Sequence, residues 1–190
     1  RFPEIKGVML ADDAFFPDEN RFKEFAVSYK EEIGLPFIAN SISGRISESA
    51  ADLLQLAGCN MIKLGVETAS ERILKTILKK PFTLRHLAKT VELLHSRNIN
   101  VRFYVMIGIP TEQPEEMLET LKLCSKFEAD SVRLSILLPY PGTKIHEYCA
   151  ARNLFNDRSN GLPGSYASGS ILKWANGEDL FIEKCRAIYT

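Results

Sequence analysis

Cysteine is scarce in this sequence and scattered where it occurs. Cys59, Cys124, Cys149 and Cys185 lie far apart, with no C-x-x-C and no histidine pair beside them. A metal site built from these residues alone is therefore not expected. Small apolar residues in a reducing compartment account for them. An excess of charge is also lacking: lysine plus arginine and aspartate plus glutamate number 24 each, for a formal net charge of zero. The electrostatic footprint of a nucleic-acid or membrane-surface partner is missing. No apolar run reaches the length of a membrane-spanning helix, and the start lacks the basic-then-apolar pattern of a signal peptide. The cytoplasm is the location this predicts. The G-x-G-x-x-G and P-loop motifs, the G-x-S-x-G elbow and any cysteine–histidine arrangement are absent too. His86, His95 and His146 have no partner at ligand spacing and receive no role.

What is present is a regular alternation. The 190 residues suffice for one domain with a sizeable core, and 45% hydrophobic with 25% charged residues is ordinary for a globular protein. Runs rich in Val, Ile, Leu and Met predict strands over 5–11, 36–42, 60–66, 99–107 and 131–138. Between them apolar residues recur at helical spacing. These are Phe22, Phe25, Ala26, Tyr29 and Ile33, then Leu53, Leu54 and Leu56, then Ile73, Leu74, Ile77 and Leu78. Leu87, Val91 and Leu94 follow, and then Met117, Leu121, Cys124 and Phe127. Ser47 and Ser70 read as N-caps, Gly34 and Gly58 as stops, and Pro114 with Glu115 and Glu116 as a first turn. Pro81 interrupts one helix and Thr83 restarts it.

Five such βα units, at a repeat of roughly 25 to 35 residues, indicate a parallel sheet covered by helices. Five is odd for a closed barrel and few for a doubly wound sheet. The expected fold is α/β, a partial TIM-type (β/α) barrel with parallel strands and a missing flanking unit, although periodicity alone does not separate it from an open sheet. Residues 1–155 would form this barrel. Residues 156–190 would add a loop, rich in glycine, serine and asparagine as far as residue 170, and a C-terminal helix over about 178–188 packing on the barrel.

In parallel βα folds ligands bind at the carboxyl ends of the strands. Asp12-Asp13, Asn40, Gly65-Val66-Glu67-Thr68, Gly108-Ile109-Pro110 and Pro139-Tyr140-Pro141-Gly142-Thr143 all fall there. Together they resemble a radical S-adenosylmethionine (SAM) domain. The subgroup they resemble is the iron–sulfur oxidoreductase type whose members often carry an upstream cobalamin-binding domain. Asp12-Asp13-Ala14-Phe15 resembles that family's acidic pair and phenylalanine, with Arg21 where a basic residue is common. Gly65-Val66-Glu67 resembles its fourth-strand motif, and Gly108-Ile109-Pro110 and Pro139–Thr143 its two later ones. The order is unbroken over about residues 5–150. The family's C-x-x-x-C-x-x-C is not in this sequence, which starts at what resembles the family's second strand. The resemblance thus implies a barrel missing its first βα unit, with the cluster cysteines upstream of Arg1.

The resemblance also implies cofactors and roles. Three thiolates would hold a [4Fe–4S] cluster with one iron open to SAM, whose cleavage yields a 5′-deoxyadenosyl radical or supports radical methylation. Cobalamin is a further cofactor of full-length members of the subgroup. Asp12 and Asp13 would lie at the methionyl ammonium, and Asn40 at the ribose or methionyl group. Glu67 would accept hydrogen bonds from the ribose hydroxyls. Lys79 would meet the methionyl carboxylate, with Lys80 beside it as the other register. Gly108 and Pro110 would let the backbone pass close to adenine, with Met106 or Ile107 as packing, and Tyr140 is a candidate substrate contact. Each position also has a plainer use: a cap and a solvated acid at Asp12-Asp13, a turn at Asn40, a first-turn acid at Glu67, and strand-to-helix turns later. A chain without the cluster cysteines is expected to be inactive alone.

Two other functions stay open on the sequence. One is an unrelated aldolase-like or phosphate-binding barrel enzyme, with Lys63 as the one lysine in a strongly apolar strand and residues 161–170 as the glycine-rich stretch. The other is a degenerate barrel kept as a binding or scaffold module. A small-molecule substrate of unspecified class is the expected partner. A missing unit would leave a sheet edge unpaired, which predicts a dimer through that edge.

Overall fold

The computed structural model describes residues 4–13, 15, 19–80, 84–157, 169–174 and 178–188. Its first half runs β1 (Val8–Leu10), α1 (Glu19–Glu32), β2 (Phe37–Ser41), α2 (Glu48–Ala57), β3 (Cys59–Glu67), α3 (Glu71–Thr76) and α4 (Leu84–His95). It continues with β4 (Asn100–Ile107), α5 (Pro114–Lys126), β5 (Ser131–Ile136), α6 (Lys144–Ala151) and α7 (Glu178–Ile188). The strands form one sheet in the order β1-β2-β3-β4-β5, with β1–β2 and β2–β3 parallel. Every connection within the sheet carries a helix and the order never reverses. A doubly wound sheet would turn back at a switch point, whereas sequential order is the topology of a (β/α) barrel. The fold class is therefore α/β, of the partial TIM type.

Local chemistry sets the helix ends. Ser47 accepts the Ala50 N–H and Ser70 the Ile73 N–H, each satisfying a donor that the first turn leaves open. Thr143 does the same for His146 at the start of α6. Gly58 ends α2 at φ 84°, a left-handed conformation that a side chain would strain. The Pro81 and Thr83 punctuation and most of the 156–170 loop lie outside the described residues.

Contacts divide the chain into two compact units, Arg1–Val66 with Phe82–Phe103 and Phe127–Ser131, and Glu67–Pro81 with Tyr104–Lys126 and Val132–Thr190. In the first unit, Phe37, Ala39, Ile62 and Leu64 are no more than 1% exposed and share one face of the sheet. The α1 aromatics cover it: the Tyr29 and Phe25 rings lie edge-on to Phe37, with centroids 5.0 and 6.1 Å away. Two residues expected on buried stripes are not there. Ile33 is 53% exposed because α1 stops at Glu32, and Leu56 is 41% exposed because it sits about 200° around α2 from buried Leu54.

The core of the second unit joins Ile73, Ile109, Leu137, Cys149 and Leu172, with Met106, Phe155 and Trp174 packed against it. Phe155 and Leu172 form an antiparallel bridge, and Asn156 clamps the same segment through the Ser170 and Leu172 carbonyls. β5 stops at Ile136, short of the 138 expected, with Pro139 closing the following extended stretch.

Candidate functional site

In the first unit the strand-end residues meet through the backbone. Asn40 Nδ2 donates to the Asp12 carbonyl at 2.8 Å, and the Asn40 carbonyl accepts the Phe15 N–H at 3.0 Å. Asn40 thus pins the segment after β1, while the Asp12 and Asp13 side chains stay exposed. Just beyond, the Ser41 and Ser43 hydroxyls are buried with no hydrogen-bond partner among the described residues, a cost that a polar ligand or ordered water would relieve.

The second unit holds the more developed arrangement. Glu67 ends β3 at φ 69°, a conformation rare for a residue with a side chain and common where structure is strained for function. Its side chain is 16% exposed, and Oε1 accepts the Lys80 ammonium at 2.6 Å. Oε2 has no partner among the described residues. Lys79, the register named first above, is exposed and has no side-chain partner among the described residues; its φ of 51° turns the chain so that Lys80 reaches Glu67.

The backbone around Glu67 is held by a buried network. Thr68 is fully buried, donates to Glu112 Oε1 at 3.1 Å and meets the Thr120 hydroxyl at 3.1 Å. Thr120 also accepts the Ala69 N–H at 2.9 Å. Glu112, 1% exposed, takes the Ile109 N–H on Oε2 at 3.0 Å. Burial pushes its carboxyl up to about 7 against the hydrogen bonds from Ile109, Thr68 and Gly108. Closer to the surface, Glu116 receives Arg72 and Ser70, and Arg72 reaches the Thr111 carbonyl at 2.7 Å. The segment after Glu67 and the turn after β4 are thereby tied together. Sequence reasoning passed over Glu112, and its place two residues after the Gly108-Ile109-Pro110 turn was the available signal.

Gly108 and Pro110 are placed inside this unit. Gly108 has φ 73°, and a Cβ there would stand 3.5 Å from Ile136, Trp174 and Ile182, so its Cα faces protein. Pro110 is buried as well. A hollow of about 280 Å³ lies instead on the β4–β5 face, lined by Tyr104, Met106, Arg133, Ser135, Leu138 and Tyr140 among others. Tyr140 is 50% exposed at its mouth.

The cysteines do not fit an iron–sulfur cluster. All four are buried and unpaired, burial pushes the Cys59, Cys124 and Cys149 thiols up to about 12, 11 and 11, and a cluster needs thiolates. Among the described residues no three His, Cys, Asp or Glu side chains are grouped to hold a metal. No described helix is long and apolar enough to cross a membrane.

The sequence and its sequentially wound α/β fold have clear relatives. The radical SAM superfamily profile matches residues 3–124, most of the chain, and the chain belongs to that superfamily. An uncharacterized methyltransferase of Pyrococcus horikoshii is 30% identical over 151 residues, which are 79% of this chain and 33% of that protein. Cytidylyl-2-hydroxyethylphosphonate methyltransferase of Streptomyces wedmorensis is 22% identical over 170 residues, covering 85% and 32%. Among solved structures, the radical SAM methyltransferase TsrM of Kitasatospora setae, with cobalamin and a [4Fe–4S] cluster bound, superposes with a TM-score of 0.68 at 21% identity. That match covers 78% of this chain and 29% of TsrM. Elp3 of Methanocaldococcus infernus covers 95% of this chain and 44% of its own at TM-score 0.67 and 16% identity. The chain thus spans about a third of the two relatives' lengths. The aldolase-like alternative is set aside by the family match.

Proposed function

We propose that this chain is the SAM-binding core of a radical SAM enzyme, and that the whole protein is of the methyl-transferring kind its relatives' names describe. The observation that carries the reading is Glu67, a strained, largely buried carboxylate at a strand's carboxyl end with one oxygen on Lys80 and the other without a partner. Such a carboxylate accepts hydrogen bonds from the vicinal hydroxyls of a ribose. Lys80 fixes its rotamer and lowers the cost of its charge. The Thr68–Glu112–Thr120 network positions the backbone on which Glu67 sits. Adenine fits the hollow between Tyr104, Met106 and Tyr140 better than the packed surroundings of Gly108. Asp12, Asp13 and Asn40 keep only the role the family resemblance gives them.

When bound, a [4Fe–4S] cluster supplies the electron for SAM cleavage; the described residues do not hold one, so its thiolates and any cobalamin site belong to other parts of a longer polypeptide. This chain by itself is then inactive and takes up no iron on anaerobic reconstitution. Four unpaired, buried cysteines suit a reducing cytoplasm, where we place the protein.

Calorimetric titration with SAM tests the reading. Wild-type chain should bind, and Glu67→Gln should bind about tenfold to a hundredfold more weakly, the loss of one or two charge-assisted hydrogen bonds. Equal affinity in both would remove Glu67 from the site.

A further inference from the structure

Lys63 has a position that the reading above does not use. It lies inside β3, where Ile62, Leu64 and Val66 are fully buried on one face of the sheet. Its own side chain emerges on the other face, beside Asn40, its register partner on β2. On the same face the register lines up Met9, Ile38 and Met61. Lysines on strands normally lay their stems over apolar neighbours and lift the ammonium into water. Lys63 does not, since the residue is only 7% exposed. Its ammonium meets one acceptor, the Met9 thioether sulfur at 3.1 Å. Among the described residues no carboxylate pairs with it. A thioether is a weak acceptor with no charge, so it leaves two of three N–H donors and the whole positive charge without compensation. A buried cation in this state calls for an anion.

We infer that Lys63 is an anion-binding residue, which receives a carboxylate or phosphoryl oxygen of a ligand on this face of the sheet. The anion site stands on the burial and contacts of Lys63. That its anion is an acid group on a co-substrate rests on the reading of the chain as a SAM-binding core. Asn40, adjacent in register, still has its side-chain oxygen and one amide hydrogen to offer the same ligand.

Thermal unfolding of the 190-residue chain with inorganic phosphate as probe tests this directly. Wild type should gain thermal stability as phosphate rises at constant ionic strength. Lys63→Met, which replaces the cation by an apolar chain of similar length, should melt higher than wild type without phosphate and lose the phosphate response. Lys63→Arg should keep the response, which guards against a Met variant that fails to fold. Lys63→Met should keep the SAM affinity of wild type while its phosphate response is lost. A phosphate response equal in wild type and Lys63→Met, or a Met variant that is less stable with no phosphate dependence to lose, would overturn the inference. Glu67→Gln is the control for the reading above: it should lose SAM affinity yet keep the phosphate response.

Discussion

Glu112 is a buried acid kept near neutrality by its surroundings, and this makes it a measurable element of stability. Burial raises its carboxyl from the ordinary 4.5 to about 7, although three hydrogen bonds pull the other way. A carboxyl whose folded value lies above its unfolded one contributes fully below about 4.5, and the contribution is lost as pH climbs through about 7. Wild type should therefore lose stability between about pH 5 and pH 8, by an amount of order 1–3 kcal/mol, relative to Glu112→Gln, which cannot ionise. Urea melts of both proteins at the two pH values decide it, and parallel pH dependence would remove Glu112 as the source. The same residue marks where sequence reasoning stopped. Its partner Thr68 is 44 residues away along the chain, and Thr120, which Thr68 meets in turn, is 8 residues away, and no local pattern announces such a triad. The lysine facing Glu67 was also hidden, because Lys79 and Lys80 differ only in how a left-handed residue turns the chain. Glu67 itself was legible, since an acid after glycine-valine at a strand end is a local signal.

At the scale of the element, legibility followed from chemistry that spans only a few residues. Ser47 and Ser70 each bond a backbone N–H three positions on, so these caps could be read directly. Ser47→Ala should lower stability by about 1 kcal/mol, seen as a shift in the urea midpoint at unchanged slope. No shift would mean that α2 is held by Leu54 and its apolar neighbours alone. Burial of individual helix positions was less legible. Ile33 and Leu56 are exposed because a helix ends one residue sooner, or a side chain falls on the far side of the stripe, and spacing among many leucines does not settle either.

At the scale of the molecule, alternation of strands and helices was enough for a parallel sheet covered by helices, but periodicity alone left its strand order open between a barrel and an open sheet. The hollow at Tyr104, Met106 and Tyr140 was not readable, since it depends on how β4 and the stretch after β5 are placed in space. β1 ends the strand order; Met9 in it and Ile5 just before it are 57% and 44% exposed. We propose that this edge pairs with a second copy, as unpaired strands tend to. Light scattering should show a dimer that Ile5→Lys shifts towards monomer, and a monomer at every concentration would refute it. Trp174, the one tryptophan of the sequence, donates its indole N–H to Ser170 Oγ at 2.8 Å, and its ring lies 3.5 Å from where a Gly108 side chain would begin. The chain thus carries its own optical label: the emission colour and quenching of its one indole, excited selectively over the tyrosines, report without any dye when the glycine turn after β4 loosens or tightens.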